Sequence, residues 1–280
     1  MKTLTISLIL LLSAFFLFIG CKGSGNKTTS ADSTAAAPPK PVPGTHIKYD
    51  SSKHYIFLTW DDAPQPPGTN NCKRIFTEQG VKATFFVVGG NAPSPSKLRI
   101  VESLRESYPQ FLIANHSFSH GFHDKYKSFY AHPDSAVQDF IQNEKMLNVP
   151  VKIIRLPGNP SWVGKGEMKG PKSTMPVCKL LQDLGYNVIG WDIEWAFVNK
   201  PHVGSVPKQS VDEIVKQITE SFDSDLNNEP NAVVVLAHDR MFGTAQYADS
   251  LTKFVTVLKK DPRNVFETID HYPMVQAGVK

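Results

Sequence analysis

The chain has 280 residues, 41% hydrophobic and 20% charged, with a net charge of +4. It is long enough to bury a substantial core, and its composition is that of a globular protein. Residues 1–45 hold four lysines and one aspartate, leaving 26 basic and 25 acidic residues in the remainder, a near-neutral balance that gives no support for nucleic-acid binding.

Lys2 precedes an apolar run from Leu8 to Ile19 that ends at Gly20-Cys21, the layout of a secretory signal. Phe18-Ile19-Gly20-Cys21 resembles the lipobox of bacterial lipoproteins, with Phe18 where Leu is usual. Under that reading residues 1–20 are a signal peptide, and Cys21 is lipidated and anchors the protein to a membrane in the cell envelope. Residues 21–45 are rich in Gly, Ser, Thr, Ala, Pro and Lys and poor in large apolar residues, so they read as a disordered tether. The folded domain is expected over 46–280. Cys72 and Cys178 are far apart and form neither a zinc-knuckle spacing nor a disulfide framework, and the sequence leaves their pairing open.

The first strand of the domain, Tyr55 to Trp60, delivers Asp61-Asp62 and stops at Ala63-Pro64. Strand alternation predicts that the two carboxylates point to opposite faces and play different parts. Asn70 and Asn71 are candidate caps for a helix over Cys72–Gln79, closed by Gly80. Strand Ala83–Val88, helix Lys97–Tyr108 and strand Phe111–Ala114 follow. The alternation continues with a helix at 135–147, a strand at Ile153–Leu156, a helix at Val177–Leu184 and a strand at Tyr186–Trp191. Ser210 and Glu213 form a capping box for a helix to Phe222. Strand Ala232–Ala237, a helix over Tyr247–Lys259 and a short strand at Val265–Thr268 complete the series. Seven strands alternating with helices predict an α/β fold, a distorted parallel (β/α) barrel in a single domain.

Chemistry-bearing residues stand at the ends of these strands, where such folds place their sites. His116 and His120 are four apart, and on a helical turn both rings would face one divalent ion. A carboxylate from Asp62 would complete three protein ligands and leave a position for water, as in a catalytic zinc site. His123 is read as solvent-facing or supporting. Arg155 can orient a carboxylate by a forked pair of hydrogen bonds. Trp191, Asp192, Glu194 and Trp195 interleave acids with indoles that can serve as apolar faces for sugars. The strand over 232–237 ends in His238.

Together these motifs resemble the polysaccharide deacetylase family, the NodB-homology domain of carbohydrate esterase family four, over about Lys53 to Pro273. Thr59-Trp60-Asp61-Asp62 looks like its first motif, which implies that Asp61 is the general base and Asp62 a metal ligand. His116 to His120 looks like the second, supplying the other two ligands. Arg155-Leu156-Pro157 resembles the third, implying that Arg155 orients Asp61 and Pro157 borders the substrate. Trp191 to Trp195 resembles the fourth, with Asp192 preferred over Glu194 as the acid tuning the catalytic histidine and Trp195 lining the acetyl pocket. Leu236-Ala237-His238 resembles the fifth, implying that Leu236 packs on the acetyl methyl and His238 is the general acid.

Four departures stand out, one being that the fourth motif is one residue short of the common spacing. Ala63 replaces Gly, which requires a negative φ there. Gly158 replaces an aromatic residue, and 161–176 is an insert without a counterpart. The resemblance implies metal-dependent N-deacetylation of a polysaccharide, with zinc as the expected metal. A silent carbohydrate-binding lipoprotein, or a hydrolase of O-acetyl esters or a non-sugar amide, would share the same motifs.

Overall fold

The computed structural model describes residues 42–277. The expected signal segment, Cys21 and most of the expected tether lie outside these residues. In chain order the elements are β1 (His54–Ala63), α1 (Gly68–Gln79), β2 (Ala83–Val87), α2 (Pro95–Arg105) and β3 (Phe111–Asn115). Then come the short α3 (His120–Asp124) and α4 (Tyr126–Ala131), α5 (Pro133–Leu147), β4 (Ile153–Ile154), and the pair β5 (Trp162–Gly164) and β6 (Glu167–Lys169). The second half holds α6 (Met175–Asp183), β7 (Asn187–Val188), β8 (Ile193–Glu194), β9 (Phe197–Lys200), β10 (Gly204–Pro207), α7 (Val211–Ser221), β11 (Ala232–His238), α8 (Ala245–Leu258), β12 (Asn264–Phe266) and α9 (Pro273–Gln276).

Seven strands run parallel in the order β7, β4, β3, β2, β1, β11, β8. This is the parallel, barrel-like α/β architecture expected from the alternation of elements. β12 joins β1 beside its first residues, and β5 and β6 extend the far edge antiparallel. The expected strand over Tyr186–Trp191 is broken. Asn187–Val188 pairs with β4, whereas Ile193–Glu194 pairs with β11, so one stretch of backbone crosses from one sheet edge to the other. The sheet is therefore curled, with its ends bridged by the chain itself.

β1 is central and buried along almost its whole length because both faces are covered. Ile56, Leu58 and Trp60 face the layer of α1, α7 and α8, where Trp60 stacks edge-on against Phe76. Tyr55 and Phe57 face the interior, which Tyr272 and Trp162 fill from the far side. Thr59 and Asp61 continue that inner face, so the interior turns from aromatic to polar toward the strand ends.

Several helices differ from expectation at their starts. α1 begins at Gly68 rather than Cys72, after Pro67. Asn71 donates to the Phe242 carbonyl instead of capping the helix. Gly68 lies so close to the Asp239 backbone that any Cβ would collide with it, and this lets α1 press against the end of β11. Gly80 ends the helix with φ 65°, as a left-handed cap should. The capping box of Ser210 and Glu213 is formed as expected. The insert at 161–176 is the β5–β6 hairpin followed by the start of α6. Cys72 and Cys178 are buried, unpaired, and sit in separate apolar clusters.

Candidate metal centre and active site

β1 reaches the site through an irregularity. Its register against β2 shifts between Asp61 and Ala63, and Asp62 has φ 72°. This bulge breaks the alternation that would have sent the two carboxylates to opposite faces. Asp61 Oδ2 lies 3.5 Å from His116 Nε2, and Asp62 Oδ1 lies 3.7 Å from the same nitrogen. Both acids therefore face one point. The left-handed turn falls on Asp62, a residue type that tolerates it, and Ala63 takes no positive φ.

His116 and His120 converge without a helical turn. Ser117 and His120 both have positive φ, and left-handed geometry continues through Asp124. The loop is held from beneath by buried polar groups: Asn115 Oδ1 accepts from the Ser117 amide, and Asp139 Oδ1 accepts from the amides of Phe118 and Ser119. Asn143 donates to Asn115 Oδ1 and to the Val87 carbonyl. These anchors support the strain of several non-glycine residues in the left-handed region, which costs on the order of 1 kcal/mol each.

The imidazoles are oriented alike. His116 Nδ1 is 2.9 Å from the Arg155 carbonyl oxygen, and His120 Nδ1 is 2.5 Å from Asp124 Oδ1. Donation from each Nδ1 leaves Nε2 as the ligating atom. His120 Nε2 is 3.1 Å from Asp62 Oδ1. One ligand atom from each of Asp62, His116 and His120 lies within 4.8 Å of the others. Both Asp62 oxygens are buried without a well-formed hydrogen bond. Burial works to raise the Asp62 pKa, but His120, His238 and His116 outweigh it and hold the carboxylate ionised. His120 loses stability as a cation through burial, yet Asp62 and Asp124 raise it to about 8. A buried, ionised carboxylate facing two nitrogens whose other ring positions are already bonded suits a divalent cation in place of the His120 proton.

Arg155 is fully buried behind Asp61. Its Nη1 donates 2.9 Å to Asp61 Oδ1 and 2.7 Å to Thr59 Oγ1, while Nε and Nη2 donate to the Ile189 and Gly190 carbonyls. The guanidinium thus joins β1 to the crossing backbone and fixes one oxygen of Asp61. Its other oxygen is turned toward His116. His238, at the end of β11, is aligned with Asp61 in the strand register, and its Nε2 is 3.9 Å from Asp62 Oδ2. Burial lowers the His238 pKa despite the opposing charges of Asp62 and Asp61. A cavity of about 420 Å³ opens at Asp62 and His120, bounded also by Asp124, Tyr126, Phe197 and Arg240 among others.

Residues 48–159 match the polysaccharide deacetylase family. Over this stretch the chain is similar to that family. A stretch of 71 residues is 37% identical to a chitooligosaccharide deacetylase of Rhizobium leguminosarum bv. trifolii, covering 25% of this chain and 31% of that protein. A counterpart from R. leguminosarum bv. phaseoli is 38% identical over 65 residues, 23% of this chain and 27% of its own length. The matches thus span about a third or less of these relatives. Among solved structures, a Streptococcus mutans CE4 esterase superposes with a TM-score of 0.56 at 22% identity, over 77% of this chain and 86% of that one. The catalytic domain of a Eubacterium rectale peptidoglycan N-acetylglucosamine deacetylase gives 0.53 at 21% identity, over 86% and 96%. At such identities the likeness speaks for the fold.

The deacetylase fold does not gather every residue singled out in the sequence. Trp195 is fully buried, donates Nε1 to the Gln209 carbonyl and packs on Phe242 and Phe254, so it belongs to the core beneath the site. Trp191 lies 5.8 Å from the Arg155 guanidinium. Asp192 faces away from His238: its two oxygens accept from the amides of Asn228 and Val234, and burial raises its pKa to about 6. Glu194 is the acid of that stretch whose charge reaches His238. Leu236 is almost fully buried on β11, and buried Pro157 accepts from the Tyr130 hydroxyl through its carbonyl. His123 is exposed at the cavity edge. Asp124 and Arg240 entered the site unannounced. Their only signals were an acid four residues after His120 and a cation two after His238.

Proposed function

We propose that the protein is a metal-dependent hydrolase that removes N-acetyl groups from amino sugars of an envelope or extracellular polysaccharide. The observation that carries this reading is the convergence of Asp62, His116 and His120 beside an Asp61 fixed by buried Arg155, with His238 at the same rim. Asp62 Oδ1 and the two Nε2 atoms would hold a divalent cation, in our reading Zn²⁺, which when bound polarises a carbonyl and lowers the pKa of water. Asp61 takes the proton of the attacking water through its free oxygen. Arg155 keeps that carboxylate in one orientation throughout, so little reorganisation accompanies proton transfer. His238 gives its proton to the departing amine. The carbon–nitrogen bond breaks, and acetate and a free amino sugar result.

The relatives named as chitooligosaccharide deacetylases support an N-acetylated sugar as substrate. Lipidation at Cys21 would hold the enzyme on a membrane within reach of such a polymer in the envelope. The test is acetate release from N-acetylglucosamine oligomers and from peptidoglycan, before and after chelation and with Zn²⁺ restored. Release abolished by chelation and recovered with the metal is the expected result. Absence of acetate from both substrates in zinc-loaded protein would refute the proposal.

A further inference from the structure

Arg240 has no part in the mechanism above, yet it occupies the wall of the catalytic cavity. Its Nη1 is 3.1 Å from Asp62 Oδ2, the oxygen turned away from His120. The face of its guanidinium lies 4.5 Å over the Phe197 ring, which the β9–β10 hairpin brings to the same wall. Its Nε is buried and donates to nothing, and Asp62 is its only carboxylate partner among the described residues. A guanidinium has five N–H donors in a rigid fork, so most of its bonding capacity is uncommitted. The side chain is one-third exposed, and among the described residues it is the only Lys or Arg lining this cavity. Paired with a carboxylate on one side and set over an aromatic ring on another, the guanidinium keeps N–H donors for a further anion. Metal in the adjacent site would compensate Asp62 and strengthen the pull of this wall on negative charge.

We propose that Arg240 is a specificity-determining residue that recognises a carboxylate on the sugar, so that the preferred substrate is an acidic N-acetylated amino sugar rather than a neutral one. The inference rests on the deacetylase reading for the identity of the ligand as a sugar, but its test is independent of turnover. Equilibrium binding to the zinc-loaded full chain is measured for three probes: a neutral N-acetylglucosamine oligomer, the same oligomer oxidised to a carboxylate at C6, and an oligomer carrying a lactyl ether at C3. The two acidic probes separate a carboxylate at the ring's exocyclic carbon from one on the ether arm. Acetate release is followed in parallel.

Wild-type protein should bind one acidic probe about tenfold tighter than the neutral one, the worth of one charge-assisted contact. In Arg240→Gln that ratio should fall to near one, and in Arg240→Lys it should be intermediate. Taking the ratio within each variant divides out any shared damage to the Asp62 site. Raising ionic strength should weaken only the acidic probe's binding to wild type, a readout that needs no variant. Equal binding of all three probes to wild type, or a preference that survives Arg240→Gln, overturns the inference even if acetate is released. A preference abolished by Arg240→Gln without acetate from any probe would support Arg240 and refute the deacetylase reading.

Discussion

Asp61 and Asp62 are chemically identical neighbours, and their surroundings alone assign them different tasks. Asp61 has one oxygen tied to Arg155, while Asp62 faces the two histidines. Asp61→Asn should lower kcat by about 10² to 10⁴ with metal content unchanged, read by acetate release and by metal analysis of the same sample. His116→Ala should instead lose the metal, because it deletes one of three ligands. Arg155→Met removes the donors to Asp61, Thr59 and two backbone carbonyls in a fully buried place. We expect a cost of about 3 to 5 kcal/mol, seen as a fall in Tm of roughly 10 °C, because a carboxylate would be left buried without its partner. A Tm within 2 °C of wild type would contradict the bridging role given to this side chain.

At the scale of elements, the site depends on places where regular structure is interrupted. The bulge at Asp62 turns β1's end, left-handed residues carry the His116–His120 loop, and the break at Ile189–Asp192 lets one segment pair with both sheet edges. Gly121 and Gly158, both with positive φ, lie against the Tyr126 ring, which fills the space a side chain at 158 would take. Helix ends behave more simply. Ser210→Ala should cost about 1 kcal/mol, a loss of 2 to 4 °C in Tm with activity retained, because the capping box serves the start of α7 and Ser210 does not line the cavity.

For the molecule as a whole, burial of Asp192 makes stability depend on pH. Its pKa rises from 3.8 to about 6 on folding because the carboxyl is desolvated, despite the two amides that favour its anion. A carboxyl whose folded pKa lies above its unfolded value stabilises the fold below the unfolded pKa, and this is lost as pH climbs through the folded one. The full swing amounts to about 3 kcal/mol. The Tm of wild type relative to Asp192→Asn should therefore decline between about pH 4 and pH 6, and a constant difference over that window would refute the shift.

The sequence by itself determined the alternation of strands and helices, the buried β1, and the residues at the strand ends, because apolar periodicity and short motifs are local properties. It determined the ligand trio of the candidate metal centre by type and spacing. Only the tertiary structure decided how those residues meet. The two aspartates share a point because of a bulge imposed by pairing with β2, not by strand alternation. The fate of Asp192 depended on which backbone amides lay opposite it on β11, and that of Trp195 on the helices packed above it. Arg240 and Asp124 became part of the site through contacts with side chains brought close by folding, 178 and 4 residues from their partners. Such contacts leave no periodic trace in the chain, so the residues that chemistry demands were legible and most of those that merely surround them were not.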